Sequence, residues 1–469
     1  MIKIFFGVFT GSIIKSLLPI IIVPIFIKHW GNQDYGLWLT SMAASAIISL
    51  LGFGLNNFGI NQCQIAFKQA TTSKNKIYDY LLSLHIVIYL VAHFISLLYL
   101  SFVDIFINFE DINLVFIFGF YSAATILFSY LSLSLRIIEK FHIGLYISIA
   151  YNIILYSGIA LLVVNSFSLT SVALWMLALV NLACLIFYYT LHHVYRIPYR
   201  FRYSFKTFLI YINKSYKILY FQVGDYFRIQ LPILFLGFFV SAIQLVTYTV
   251  NRTLANILSQ VFIIIHNTIT QKITANFAEG KKIEQRVLFK LVFCLLVPIL
   301  TFGSIILAEF YEIIMNIWIG DNANSVLNLS YSKLLITISY LYCIWNLGTV
   351  FLVATNNFST LAKLSMFHGV SFFIFSVYGF YLFNLIGFLI AGIIAEFIFG
   401  VIIINIKIFK IINIYFKDIL FLAIFLMINI ITFLVIFLYI QSSLLVFFAS
   451  FFITILFIGL LIFKNKSFF

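Results

Sequence analysis

Apolar residues gather in long blocks along the whole chain, separated by short polar breaks. A helix needs about 20 mainly apolar residues to cross a hydrocarbon core roughly 30 Å thick. About fourteen blocks meet that length, near 4–27, 37–60, 79–103, 112–135, 143–164, 169–191, 217–240, 243–270, 288–308, 331–354, 361–383, 386–406, 418–440 and 443–463. The first has Lys3 ahead of it and no small-residue cleavage site after a short apolar core, so it reads as a retained helix and not a removed signal peptide. The pattern predicts an all-α polytopic membrane protein.

Composition agrees. Of 469 residues, 64% are hydrophobic and 9% charged, whereas a soluble chain carries about a quarter charged. A soluble enzyme, a secreted disulfide scaffold and a disordered chain are set aside. The net charge of +14 raises the question of a nucleic-acid partner, and the placement of the 28 basic residues answers it. With the N-terminus inside, 23 of them fall in inner segments, only Lys28 and Lys333 fall outside, and Lys15, Arg228 and Arg252 lie within spans. That is the bias by which Lys and Arg near span ends stay cytoplasmic, so no nucleic acid is needed and both termini are expected in the cytoplasm. The basic and aromatic stretch from Arg196 to Lys217 suits anionic headgroups beside a membrane. Cys63, Cys184, Cys294 and Cys343 show no metal spacing and read as packing residues, and no cofactor or metal is expected.

The chain repeats itself. Gly11, Lys15 and Pro19 in the first span match Gly224, Arg228 and Pro232 in the seventh at a constant offset of 213 residues, as do Leu18 and Leu231, and Tyr35 and Tyr248. A matched basic residue and proline inside two apolar spans point to two pseudo-symmetric six-helix lobes, 1–191 and 217–408, around a central cavity. A basic cytoplasmic linker, 192–216, joins them, and two additional helices follow at 409–469. Spans 1 and 7 run in the same direction, so the halves are parallel repeats of the kind found in transporters.

Charges inside a span are costly and mark function by default. Here they are Lys15, Asp225, Arg228, Arg252 and Glu396, with His85, His93, His266 and His368 as weaker candidates. Lys15 and Arg228 each precede a proline by four residues, one helical turn, which places a cation beside a kink that can hinge at Pro19 or Pro232. Such a pair suits an anionic group, a diphosphate or an acidic sugar, with Arg252 as a third ligand. Asn57, Tyr248, Asn251 and Asn256 are candidates for a polar cavity lining. Asp225 and Glu396 are candidates for coupling to H+ or Na+. No Gly-rich phosphate loop, H-E-x-x-H or nucleophile elbow is present, so no enzyme is expected.

Two stretches carry a family resemblance. From Trp30, Gly31, Tyr35 and Gly36 are followed by an apolar span and then by Gly52 and Gly54; the segment from Phe221 opens the second half. Together they resemble the Wzx-type O-antigen and capsule flippases of the multidrug/oligosaccharidyl-lipid/polysaccharide superfamily. The resemblance implies a lobed helical transporter of the bacterial inner membrane with a basic central cavity. It would move an undecaprenyl-diphosphate-linked oligosaccharide between leaflets, in contact with membrane lipids and with a polysaccharide polymerase and chain-length regulator as partners. The alternatives are a lipid II flippase, an ion-coupled multidrug exporter and, less favoured, a membrane glycosyltransferase or polymerase.

Overall fold

The computed structural model describes residues 2–68, 74–107, 112–260, 273, 282–355, 357–412, 422 and 424–431. The spans expected at 418–440 and 443–463, the end of the span at 243–270, His266 and the loop 272–281 lie wholly or mainly outside those residues. Among the described residues every regular element is helical. Eight stretches are long and apolar enough to cross a membrane, and two of them, Leu17–Gly52 and Phe358–Ile411, each hold two of the expected spans.

The first of these double stretches shows how little chain a corner needs. α1 (Ile2–Ser45) runs through Gly31, whose φ of 70° and ψ of −172° are not helical. Phe26 and Trp38 would lie about 18 Å apart along a straight helix at 1.5 Å per residue, yet their rings are 5.7 Å apart, and Trp30 meets Trp38 at 5.0 Å. The chain therefore folds back at Gly31, and spans 1 and 2 form a hairpin. Tyr35, buried to 3% exposure, packs on Phe26 from across the corner. At Gly36 an added Cβ would sit 3.1 Å from that of Ala242. The positive φ accounts for Gly31, and these close contacts account for Gly36 and Tyr35.

The second span is discontinuous. Its α-helix ends at Ser45 and gives way to a tighter 3-10 helix, Ala46–Gly52, after which Phe53 and Gly54 both have positive φ. α2 (Leu55–Lys68) then resumes. Ser45 ties the break to its neighbour by donating to the Val115 carbonyl at 3.0 Å.

The chain packs as two compact units, Met1–Val246 and Thr247–Phe469. In the first, α4 (Ile112–Ser134) lies between α3 (Lys74–Ile107) and α6 (Leu169–Tyr189), while α1 packs along α5 (Phe141–Val164). Tyr78, Tyr130, Leu81, Cys63 and Phe187 form its innermost core. α7 (Phe205–Phe239) also belongs here, against α1, the 3-10 helix and α2. The repeat assigns that helix to the second half, so packing and repeat divide the chain at different points.

Residues 195–204 before α7 are held by α3. Asp79 accepts from the Arg200 backbone N–H at 3.1 Å and from Arg202 Nε at 3.2 Å, and Ser83 accepts from the Arg202 N–H at 2.8 Å. The Tyr199 hydroxyl meets Ser83 at 3.0 Å, and burial pushes its phenol above the ordinary range, so it stays protonated. Ser204 caps α7, which starts inside the stretch expected to be linker and shortens the non-helical part to ten residues.

In the second unit α8 (Ala242–Ala255) leads to α9 (Lys282–Glu309), the short α10 (Tyr311–Ile319) and α11 (Ala323–Val326), and α12 (Leu329–Ala354). α13 (Phe358–Ala395) is a second hairpin, turning at Phe383 and Asn384 between the spans expected at 361–383 and 386–406. Gly379 and Gly387 face each other across the turn so closely that a Cβ on either would strike the other's carbonyl. A π-helical turn, Glu396–Ile402, leads into α14 (Ile403–Ile412). α12 is the hub, contacting α9, α13, the π turn and α14. All four cysteines are buried free thiols.

Two outcomes check this architecture. Gly31 and Gly54 both have positive φ, but only Gly54 abuts a neighbour, with Ile218 Cβ 2.6 Å from an added Cβ. Gly31→Ala is expected to cost about 1–2 kcal/mol from the left-handed backbone alone, and Gly54→Ala more, read as a larger drop in Tm of the detergent-purified protein. Asp79→Ala is expected to raise the rate of tryptic cleavage at Arg200 and Arg202 by roughly tenfold, the effect of losing one or two hydrogen bonds worth about 1 kcal/mol each.

Candidate functional site

The α7 sequence FQVGDYFRIQ places Gln222, Asp225, Tyr226, Ile229 and Gln230 at spacings of three and four, which puts them on one helical face. That face borders a cavity of about 220 Å³ whose other wall is the 3-10 helix, through Ala46, Ser49 and Leu50. The unwound span and the polar helix face make the site together: tightening the helix at residues 46–52 turns Ser49 towards α7. Ser49 donates to the Ala46 carbonyl at 2.7 Å. Tyr226 is buried to 6% exposure. The amide oxygen of Gln222 is buried and has no hydrogen-bond partner, an arrangement that is normally costly.

Arg228 is half-buried on α7. Three residues from Asp225, it lies about 60° around the helix, at the margin of the lining face. Pro232, buried within the continuous helix, removes the backbone donor that would otherwise reach the Arg228 carbonyl. Lys15 and Pro19 stand in the same relation on α1, which also continues through its proline. The side chains of Lys15 and Asn57 lie outside the described residues.

The other expected site residues belong to the second unit. Tyr248 is 3% exposed, as is its repeat partner Tyr35, and its ring meets Phe388 edge-on at 6.2 Å. The Arg252 guanidinium lies 5.9 Å from the Tyr248 ring centre, within reach of a cation–π contact. Asn251 is completely buried; its Nδ2 donates to the carbonyls of Thr247 at 2.6 Å and Val326 at 2.8 Å, and its Oδ1 accepts from the Tyr311 hydroxyl at 2.9 Å. Its amide thus fastens α8 to α10 and α11. Asn256 sits at the turn that ends α8, so the eighth span, like the second, is interrupted after about four turns.

Glu396 meets His368 at 2.8 Å between Oε2 and Nε2, with both side chains almost fully buried at 0% and 3%. Trp345 covers the imidazole, with ring centres 4.5 Å apart. A Cβ at position 400 would lie 3.0 Å from each of the paired atoms, so Gly400 leaves the space they occupy. His85 differs: its Nδ1 bonds the Leu81 carbonyl at 2.7 Å and its ring stacks on Tyr130 at 3.8 Å, the contacts of a packing residue. His93 likewise bonds the Tyr89 carbonyl, at 2.8 Å.

Charge was the signal used to find sites in the sequence, and it picked out Asp225 and Glu396 but not Ser49, Gln222 or Gln230. The three-and-four spacing of Gln222, Asp225, Tyr226 and Gln230 was the signal that would have found them. His368 and Glu396 lie 15 and 13 residues from the α13 turn at Phe383, so the hairpin brings them to nearly the same depth.

No family model matches the sequence, and no curated protein does. The structure is similar to that of the lipid II flippase MurJ in an inward closed conformation, with a TM-score of 0.65 and 15% identity over 98% of both chains. It is also similar to the inward-facing conformation of a multidrug resistance MATE family transporter of the MOP superfamily, at TM-score 0.67 and 12% identity, over 85% of this chain and 95% of the other. The MATE multidrug transporter DinF-BH matches at TM-score 0.66 and 11% identity, over 87% and 94%. The chain thus shares the fold of these solved transporters, and its eight long apolar stretches make it a multi-pass membrane protein.

The buried pair gives a direct test of its energetics. His368→Ala strands a carboxylate in the bundle and is expected to destabilise by about 3–5 kcal/mol. His368→Leu combined with Glu396→Leu is expected to cost less than His368→Ala alone, read by thermal unfolding of the purified variants.

Proposed function

We propose that the chain is a flippase that carries an undecaprenyl-diphosphate-linked oligosaccharide, an O-antigen or capsule repeat unit, from the cytoplasmic to the outer leaflet of the bacterial inner membrane. The observation that carries this reading is the sign of the charge within the spans: Lys15, Arg228 and Arg252 are basic, against Asp225 and Glu396, and Glu396 is engaged by His368. A pocket for cationic drugs calls for the opposite balance. A diphosphate calls for this one, and the forked guanidinium of Arg holds phosphate oxygens in pairs. The resemblance of the stretches around Gly31 and from Phe221 to Wzx-type flippases points the same way.

Such a substrate has a tail that stays in lipid and a charged head that cannot cross unaided. A laterally open cavity covers the head while the tail stays outside, and alternating access presents the head to each side in turn. Pro19 and Pro232 are the hinges, each beside the cation it follows. Asp225 and Glu396 are the seats of coupling to H+ or Na+, Glu396 through its contact with His368. Both termini are cytoplasmic, and a polymerase and chain-length regulator take up the product.

A lipid II flippase is the second reading. It shares the diphosphate, and MurJ is matched over 98% of both chains, whereas the two MATE transporters are matched over 85% and 87% of this one.

Proteoliposomes carrying the full chain are expected to translocate an undecaprenyl-diphosphate-linked oligosaccharide, with lipid II as the competing substrate; preference for lipid II would replace the first reading by the second. In cells, Arg228→Glu with membrane insertion confirmed is expected to reduce surface polysaccharide at least about tenfold, the effect of about 1.4 kcal/mol of lost anion binding. Undiminished polysaccharide in that variant removes Arg228 from the site.

A further inference from the structure

The cations answer for a diphosphate but leave the polar face of α7 without a task. Gln222, Asp225 and Gln230, with Ser49 opposite, bring two carboxamides, a carboxylate and a hydroxyl to one cavity of about 220 Å³ beside the ring of Tyr226. A second diphosphate would be repelled there by Asp225. The cavity is on the scale of one monosaccharide and is open on one side, which leaves room for the rest of a repeat unit.

Sugar hydroxyls both donate and accept. Carboxylate and amide oxygens take their protons, as does the Ser49 hydroxyl oxygen, whose own proton goes to the Ala46 carbonyl, and amide N–H groups donate in return. The Gln222 oxygen is buried with no hydrogen-bond partner among the described residues, and it becomes an acceptor for such a donor once its carboxamide turns into the cavity that its side chain lines. Asp225 has an interaction of its own within the fold, and a carboxylate offers about four acceptor positions, so it can serve a ligand as well. Its charge also discriminates: a uronic acid brought against it would place two carboxylates together in a site of low dielectric.

We infer that this cavity binds one uncharged sugar ring of the lipid-linked substrate, through Gln222, Asp225, Gln230 and Ser49, and that Asp225 rejects a carboxylated sugar at the same place. The inference rests on the flippase reading and makes Asp225 a specificity residue. Arg228, at the margin of the same helix face, places the ring close to the diphosphate.

Three probes test it with the full-length protein in nanodiscs at neutral pH: bare undecaprenyl diphosphate, the same lipid bearing one N-acetylglucosamine, and the same lipid bearing one glucuronic acid. The wild-type protein is expected to bind the N-acetylglucosamine probe at least about tenfold more tightly than the glucuronic acid probe, the range in which one polar contact discriminates. Asp225→Asn is expected to close most of that gap by improving glucuronic acid binding. Gln222→Leu is expected to weaken the N-acetylglucosamine probe several-fold and leave the bare diphosphate unchanged. If Asp225→Asn fails to insert, the wild-type gap between the two sugar probes carries the test of discrimination, and Gln230→Leu is expected to weaken the N-acetylglucosamine probe while keeping the bare diphosphate. Equal binding of the two sugar probes by the wild-type protein overturns the inference while the flippase reading stands, as does equal weakening of sugar and bare diphosphate in Gln222→Leu. Failure of all three probes to bind overturns both.

Discussion

Inside a bilayer there is no water to satisfy a peptide group, so each backbone N–H and C=O has to be paired within the protein. That requirement makes the chain helical and turns each departure from helix into a decision about where the backbone can be spared. The departures fall at places with close packing or polar neighbours. Gly31 turns a hairpin under a cluster of aromatic rings. The 3-10 helix at Ala46–Gly52 is tied to α4 through Ser45 and abuts α7 through Gly54. The π turn at Glu396 opens beside His368 and Trp345. Irregular backbone and the candidate site chemistry coincide because both need the same shelter from lipid.

Side chains obey a similar economy. A lone carboxylate in the bundle would be costly, and Glu396 is held by an imidazole in a space that Gly400 leaves open. Asn251 spends its amide on two carbonyls and a tyrosine, fastening three helices to one another. Nine buried side-chain polar atoms among the described residues have no hydrogen-bond partner, and the Gln222 oxygen is the one whose residue lines the cavity.

The architecture was legible in the sequence because the solvent is severe: only long apolar blocks survive in lipid, and their charges report on topology. The hairpin turns at Gly31 and Asn384 fall in the gaps between expected spans, and the proline and basic pairs sit in α1 and α7 as the 213-residue offset requires. The site was less legible, because charge was an incomplete guide to it. Uncharged Gln222 and Gln230 are ordinary residues until the helix places them on one face, and His368 gains its meaning from the contact with Glu396, a pairing that hydropathy does not encode even where it marks the turn. The division between compact units was illegible for a different reason: a repeat reports ancestry, whereas packing reports which neighbours α7 holds in this conformation.

The backbone contact of Gly379 with Gly387 has a mechanical consequence. Two helices clamped that tightly at their shared corner resist shear at that end and pivot about a fulcrum near Asn384. His368 sits on one arm and Glu396 follows directly from the other, both far from that fulcrum. Loss of the contact between His368 and Glu396 therefore acts at the free end of the hairpin, where a small spreading force has its greatest leverage on the separation of the two arms.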